Sequence, residues 1–280
     1  MAWLTEPFTL PFMQRALIAA LIVGVVCAVL GCYVVLRSMA FLGDALAHAV
    51  LPGVAIAYLV GANMLVGALA AAVMVALGVS AFAQHGTIRE DTAIGILFAA
   101  ALALGVLLIS TVRTYATDLT HILFGDLLGV SREDLLLSAG LAVAVLAVVV
   151  AFYKEFLLVS FDPVLAHTLG KRPGAYRTVL LLLLAVTIVV SLRTVGVGLV
   201  VALLVTPAAT AHLLTRRLSH MMAVAAAVGV TSTVIGLYVS YYLDVSSGAA
   251  IVLAATAVFL VAYVAAPRRG LAWRLSRRRS

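Results

Sequence analysis

The chain is poor in charged residues. Asp, Glu, Lys and Arg make up 10% of its 280 residues, whereas 65% of the residues are hydrophobic and the mean hydropathy is +1.23. Soluble globular domains carry about 25% charged residues, so this scarcity excludes that class. The apolar residues form stretches of about 20, the length that crosses a bilayer as a helix. We therefore predict an all-α, polytopic membrane protein.

Cysteine is also scarce, because the chain has only Cys27 and Cys32. Five residues apart on one predicted helix, they point in different directions and their Cα atoms lie beyond disulfide reach. We interpret both as small packing residues. The first 15 residues lack a basic region ahead of the apolar core, so we expect no cleaved signal peptide.

A nucleotide-binding motif is missing as well. The chain has no G-x-x-x-x-G-K-S/T phosphate loop and no soluble segment large enough to hold a nucleotide. It is therefore not expected to be an enzyme. If it transports a solute, either a separate subunit hydrolyses ATP or an ion gradient supplies the energy.

The apolar stretches predict nine spans, with eight as the alternative. They lie at 12–36, 39–60, 63–84, 91–112, 133–153, 176–192, 195–214, 219–242 and 247–266. Residues 1–267 form one transmembrane domain, interrupted by a hydrophilic segment at 154–175, and residues 268–280 form a basic tail. The segment 121–132 is too short and too rich in glycine to cross, so we expect a re-entrant or interfacial turn.

The distribution of basic residues predicts the orientation, because cytoplasmic loops carry an excess of Lys and Arg. With nine spans and a cytoplasmic C-terminus, 14 of the 18 basic residues face the cytoplasm. The exceptions are Arg15, Arg113, Arg132 and Arg193. The net charge of +7 thus reflects membrane topology and does not indicate nucleic-acid binding.

The sequence FLGDALAHAVLPG, from Phe41 to Gly53, places Asp44 and His48 on one face of a predicted helix. Ionisable groups at membrane depth usually mark an ion or substrate pathway. If Ser38 caps this helix, His48 lies ~15 Å along it, near the middle of a ~30 Å core. Pro52 has no N–H to bond the His48 carbonyl, so this carbonyl oxygen becomes a third possible donor.

Carboxylate and imidazole together suit zinc, manganese or ferrous iron. The alternative is that Asp44 caps a helix beginning at Gly43, with His48 satisfied at a helix interface. Small residues line the same helix at Ala45, Ala49, Gly53 and Ala57, which favours close helix packing. If Asp44 and His48 face a two-fold axis, two protomers supply two of each ligand.

The segment 154–175 contains a short capped helix. Asp162 is placed as its N-cap, Pro163 as its first residue, and Gly170 ends it. Such a helix on the inner face suits docking of a soluble partner, and an interfacial helix without a partner is the alternative. In the seventh span, Pro207 frees the carbonyl of Leu203 and acts either as a hinge or gate or as a packing kink.

Other polar residues carry weaker predictions. His212 and His220 either receive released metal or are solvated at a helix end. On the outer side, acidic residues either concentrate cations, contact a binding protein or are solvated. The outer residues concerned are His121 and the acidic residues Glu6, Asp118, Asp126, Glu133, Asp134 and Asp244.

Three motifs together resemble one family. They are VLRSMAFLGDALAHAVLPGVAIAYLVG at 35–61, FDPVLAHTLG at 161–170 and VGVGLVVALLVTPAATA at 195–211. In this order, they are similar to the membrane permeases of manganese, zinc and iron ABC importers, the ABC-3 type. The PFMQR sequence at 11–15 also resembles the usual start of that family, so the similarity covers nearly the whole chain.

The resemblance implies a fold similar to the vitamin B12 and siderophore importer permeases, and a homodimer in the cytoplasmic membrane of a bacterium. It further implies two ATPase subunits bound on the inside and a metal-binding protein that docks outside. Asp44 and His48 match the family's pathway pair. The coupling helix that meets the ATPase corresponds to Phe161, Asp162, Pro163, Ala166 and Gly170.

The expected function is ATP-driven import of a divalent metal by alternating access, with no permanently bound cofactor. Two other classes remain open. An ion-coupled secondary transporter would use Asp44 and His48 as a protonation relay and would not copurify with an ATPase. A non-transporting scaffold would tolerate substitution of both residues. Manganese, zinc and ferrous iron all accept this ligand set, so the sequence leaves the metal open.

Overall fold

A computed structural model describes residues 10–84, 89–111, 127 and 129–266. The secondary structure assigned there is helical, and nine helices are long and apolar enough to cross a membrane, as predicted. The helices are α1 (Pro11–Leu36), α2 (Phe41–Ala49), α3 (Leu51–Leu59), α4 (Met64–Gln84), α5 (Glu90–Ser110), α6 (Arg132–Ala151), α7 (Tyr153–Phe161), α8 (Pro163–Thr168), α9 (Pro173–Val195), α10 (Val197–Leu214), α11 (Leu218–Leu243) and α12 (Ser247–Ala265).

The second span is broken. It runs from Phe41 to Leu59, but α2 ends at Ala49 and α3 begins at Leu51, with Pro52 in the first turn of α3. Proline cannot continue the hydrogen-bond ladder of a preceding helix. The span therefore consists of two helices of nine residues each, joined at Val50.

The predicted cap of this span is wrong. Ser38 has a left-handed backbone (φ 57°) and the helix begins three residues later, with Ala40 as N-cap and no side-chain cap. At 1.5 Å per residue, His48 lies ~10 Å from the start of α2. It is also two residues, or ~3 Å, from Val50, the middle residue of the span. The mid-span position of His48 thus stands, although the reference point changes.

The first helix lies at the centre of the molecule and packs against α6, α10 and α11. Its contact with α10 is very close, because a Cβ added at Gly31 would lie 1.8 Å from the carbonyl oxygen of Leu204. Helices α4, α5 and α9 form a second group that holds α2 and α3.

The small-residue ridge of the second span packs within the chain. A Cβ at Gly53 would lie 2.1 Å from the carbonyl oxygen of Gly67, and one at Gly67 would lie 2.3 Å from that of Gly53. These backbones touch directly, so the ridge brings α3 against α4. The ridge is therefore an intramolecular contact along Gly53 and Ala57.

Several predictions fall outside the described residues. These are the tail at 268–280, most of the re-entrant segment at 121–132, and Glu6, Asp118, His121 and Asp126. Of the acidic residues that are described, Asp134 forms an ion pair with Arg193 at 3.0 Å. It also accepts a hydrogen bond from the hydroxyl of Ser131, the N-cap of α6. It links the start of α6 to the end of α9.

Candidate metal site and coupling segment

Asp44 and His48 lie side by side on α2. The Nε2 atom of His48 is 3.6 Å from Oδ1 of Asp44, and their side chains are 31% and 40% exposed, respectively. The helix begins at Phe41, so Asp44 is in its first turn and does not cap a helix at Gly43. In the single chain, both side chains are therefore partly exposed.

The separation suits a shared metal ion. Two ligands with bonds of about 2.1 Å at the tetrahedral angle lie about 3.4 Å apart, close to the observed 3.6 Å. No group of three or more His, Cys, Asp or Glu residues gathers among the residues that the structure describes. One copy thus supplies two side-chain ligands here, fewer than the four or more that these metals take.

The break lies beside the predicted third donor, because Pro52 has no N–H to bond the His48 carbonyl, as the sequence indicates. Val54 in turn donates to the Val50 carbonyl at 3.1 Å, which starts the second half of the span.

Helix α5 forms the wall of the site. The Phe98 ring lies 6.1 Å from the His48 ring and 5.5 Å from that of Phe41, with a T-shaped geometry in the second pair. Further along α5, a Cβ at Gly105 would lie 2.7 Å from Cβ of Leu51. The same helix thus supports α2 through an aromatic contact and α3 through a close backbone approach.

An apolar groove continues from the break, between α3, α4 and α5. Its volume is about 500 Å³, and small residues form much of its lining. Among these are Ala49, Pro52, Gly53, Gly67, Ala100 and Ala101. Neither Phe98 nor this groove is evident from the sequence motifs, because Phe98 and the small residues of α4 and α5 lie in ordinary apolar runs.

The short helix α8 forms as predicted. Oδ1 of Asp162 accepts a hydrogen bond from the Leu165 N–H at 2.8 Å, Pro163 is its first residue, and Gly170 adopts φ 72° just after it. A left-handed residue after a helix is usually glycine. Ala166 is fully buried, so it anchors α8 against the molecule.

The exposed face of this segment is apolar. Its exposed large hydrophobic residues are Phe161, Val164, Leu165 and Leu169. On the same segment, Lys171 donates to Glu155 at 3.1 Å, and this hydrogen bond holds the pKa of the Glu155 carboxyl below its ordinary value. The segment is thus held to α7 by an ion pair and exposes an apolar face.

Pro207 lies inside α10 and is buried. The adjacent turn makes the closest helix contacts there, since Leu204 meets Gly31 of α1 through its carbonyl and Gly43 of α2 through its side chain. Pro207 therefore sits where α10 is wedged between the first helix and the helix that carries Asp44. On the same helix, His212 lies near the far end and His220 is exposed beyond it.

A group of ion pairs that sequence reasoning missed lies at the end of the molecule that carries α8. Glu90, the first residue of α5, accepts two hydrogen bonds from Nη2 of Arg37, at 3.2 and 2.9 Å. Nε of Arg177 is 3.7 Å from the same carboxylate. These residues are 53 or more positions apart in the sequence, so no local motif could reveal them.

The chain matches the ABC 3 transport family over residues 9–266. It is 48% identical to the "Manganese transport system membrane protein MntC" of Halalkalibacterium halodurans, over 93% of this chain and 89% of that protein. It is 44% identical to the "Probable iron transport system membrane protein" of Haemophilus influenzae, over 93% of this chain and 96% of that protein.

Solved structures agree with this. The chain superposes on "PsaBC from Streptococcus pneumoniae in complex with Fab" with a TM-score of 0.84 and 37% identity, over 99% of both chains. It also superposes on an inward-facing transporter described as being of the metal-chelate ABC type, with a TM-score of 0.70 and 18% identity, over 89% of this chain and 85% of that one. The second likeness concerns the fold alone, and it agrees with the predicted similarity to chelate-importer permeases.

Proposed function

The chain belongs to the ABC 3 transport family, a family of metal ABC-transporter permeases, and on that premise we propose that it forms the membrane pathway of an ATP-driven importer of divalent manganese or iron. The named relatives are manganese and iron transport proteins. A carboxylate and an imidazole are suitable ligands for both metals, and for the zinc that the same ligand set accepts.

The observation that carries this proposal is the Asp44/His48 pair. Its 3.6 Å separation suits one ion, and it lies next to the break in the middle of a span. Because one chain supplies two side-chain ligands there, we propose that two copies face each other and complete the ligand set. A homodimer would then hold one ion between two Asp44/His48 pairs.

Energy enters through separate subunits in this proposal. Two ATPase subunits bind the exposed apolar face of α8 on the cytoplasmic side, and a metal-binding protein docks on the opposite side. The distribution of Lys and Arg supports this orientation, with the C-terminus inside. ATP binding and hydrolysis rock the two protomers, which opens the metal site inward, with hinges at Pro52 and Pro207.

Uptake of each metal tests the site. The chain and its ATPase are expressed together, and cellular accumulation of manganese, iron and zinc is compared for the wild type, Asp44→Asn and His48→Ala. Removing a ligand costs more than the 10- to 100-fold typical of residues behind the ligands, so we expect both variants to lose at least about tenfold in accumulation of the same metal.

The matched control is Asp91→Asn, which makes the same change as Asp44→Asn at an exposed position. It should retain wild-type uptake. Wild-type accumulation in Asp44→Asn and His48→Ala, at equal protein level, would contradict the assignment of the metal site. Copurification of an ATPase with the tagged chain separates this function from that of an ion-coupled carrier.

A further inference from the structure

Aromatic contacts join the proposed coupling segment, which consists of helices α7 and α8, to the start of α9. The ring of Phe156, on α7, is 1% exposed and lies 5.7 Å from the Tyr33 ring and 6.5 Å from the Tyr176 ring. Phe152 also lies 6.0 Å from Tyr176. Aromatic pairs in tilted or edge-to-face geometry attract each other beyond the effect of the area that they bury. A displacement of α7 and α8 is therefore carried to the first turn of α9.

The next residue of that turn, Arg177, meets Glu90. Its Nε is buried without a hydrogen-bond partner and stands 3.7 Å from Oε1 of Glu90. Arg37 holds both oxygens of the same carboxylate through Nη2. The side chains of Arg37, Glu90 and Arg177 are 7%, 16% and 23% exposed, so the charges interact in a poorly solvated site. Two guanidinium groups thus compete for one carboxylate, and one of them is just short of hydrogen-bond distance.

Glu90 begins the helix that forms the wall of the metal site. Phe98 lies two turns further along α5 and contacts the His48 ring. A shift of Glu90 toward Arg177 moves the start of α5, and a helix transmits such a shift along its length as a rigid element. The contacts therefore form a continuous route from the coupling segment, through Arg177, Glu90 and Phe98, to His48.

We propose that Glu90 and Arg177 couple movement of the coupling segment to the metal site, with the Glu90 carboxylate shared between Arg37 in one state and Arg177 in the other. This proposal rests on the function proposed above. Glu90 and Arg177 act as positioning residues and do not touch the metal. A packed group with two discrete arrangements is the kind of element that conveys a conformational change between distant sites.

The test measures coupling, which a merely structural ion pair would not alter selectively. The permease and its ATPase are reconstituted in proteoliposomes, and ATP hydrolysis and manganese uptake are measured on the same sample. We expect Arg177→Gln to keep ATP hydrolysis within about twofold of the wild type and to lower manganese uptake per ATP hydrolysed at least tenfold. Arg217→Gln makes the same change at an exposed residue and should leave the ratio unchanged.

Two further measurements keep the result decisive. Manganese binding to the detergent-solubilised complex should be unchanged in Arg177→Gln and lost in Asp44→Asn. Arg177→Lys keeps the positive charge, and with it the fold, but lacks the guanidinium Nε, so it should give an intermediate uptake per ATP.

Specific outcomes overturn the proposal. They are a wild-type uptake-to-hydrolysis ratio in both Arg177 variants, or a proportional fall of uptake and hydrolysis together. The absence of manganese, iron and zinc uptake by the wild-type complex would instead refute the proposed function. The two failures are therefore distinguishable.

Discussion

The contact between Gly53 and Gly67 makes a quantitative prediction for Gly53→Ala. The new Cβ would stand 2.1 Å from the Gly67 carbonyl oxygen, 1.3 Å short of the 3.4 Å at which ordinary contact begins, and 2.7 Å from Cβ of Ala71. The nearest obstacle is backbone, which cannot rotate away as a flexible side chain would. Helices α3 and α4 must therefore separate.

The size of the effect follows from two opposing terms. Overpacking of this kind costs about 1–3 kcal/mol, and occasionally more. Replacing glycine by alanine within a helix stabilises by about 1 kcal/mol. Gly95→Ala is the matched control, because nothing lies within 4 Å of its added Cβ and it keeps only the favourable term. The two variants should thus differ by about 1–3 kcal/mol.

The assay is thermal unfolding of the purified protein in detergent, followed by metal uptake. At about 2–4 °C per kcal/mol for chains of this size, Gly53→Ala should melt at least about 2 °C below Gly95→Ala. Gly67→Ala should behave like Gly53→Ala. The double variant should cost less than the sum of the two, since one separation of the helices relieves both clashes.

Uptake should also fall in Gly53→Ala, because α3 begins at the break beside His48. Equal melting temperatures for Gly53→Ala and Gly95→Ala would refute the direct backbone contact between α3 and α4. Full additivity in the double variant would show that the two glycines do not share one contact.

Two further predictions concern the short helix α8 and Pro207 in the seventh span. Asp162→Ala removes the cap of α8 and should destabilise that helix by about 0.5–2 kcal/mol, which lowers ATPase binding in a pull-down titration. Asp162→Asn supplies an equally good cap, so this variant should bind the ATPase as the wild type does. Equal losses of binding in both variants would exclude capping as the cause. Pro207→Ala supplies an N–H for the Leu203 carbonyl and should raise the melting temperature. If Pro207 is a hinge, the variant should also take up metal more slowly. Unchanged uptake would show that Pro207 is a packing kink.

The limits of the nine spans could be predicted to within three residues. A span near 12–36 became Pro11–Leu36, and one near 247–266 became Ser247–Ala265. The reason is that crossing a bilayer requires about 20 consecutive apolar residues, which is a local property of the chain. The cap of α8 by Asp162 and its end before Gly170 were predictable for the same reason, because the hydrogen bonds concerned join near neighbours.

The start of the second span was not predictable in the same way. Ser38 has the chemistry of a cap, yet the chain turns there through a left-handed residue and begins α2 at Phe41. The partner of the small-residue ridge was also open. Gly53 and Ala57 indicate a close contact, but only the folded chain shows that the contact is with Gly67.

The sequence by itself therefore determined the class of protein, the number of spans, the presence of Asp44 and His48 on one helix face, and the short helix capped by Asp162. Only the tertiary structure decided that Phe98 stands against His48 and that Glu90 lies between Arg37 and Arg177. The physical reason is that these helices are apolar around their whole circumference, since lipid and protein interior are equally apolar surroundings. Hydrophobic periodicity, which reveals the buried face of a soluble helix, therefore carries little information on which faces meet.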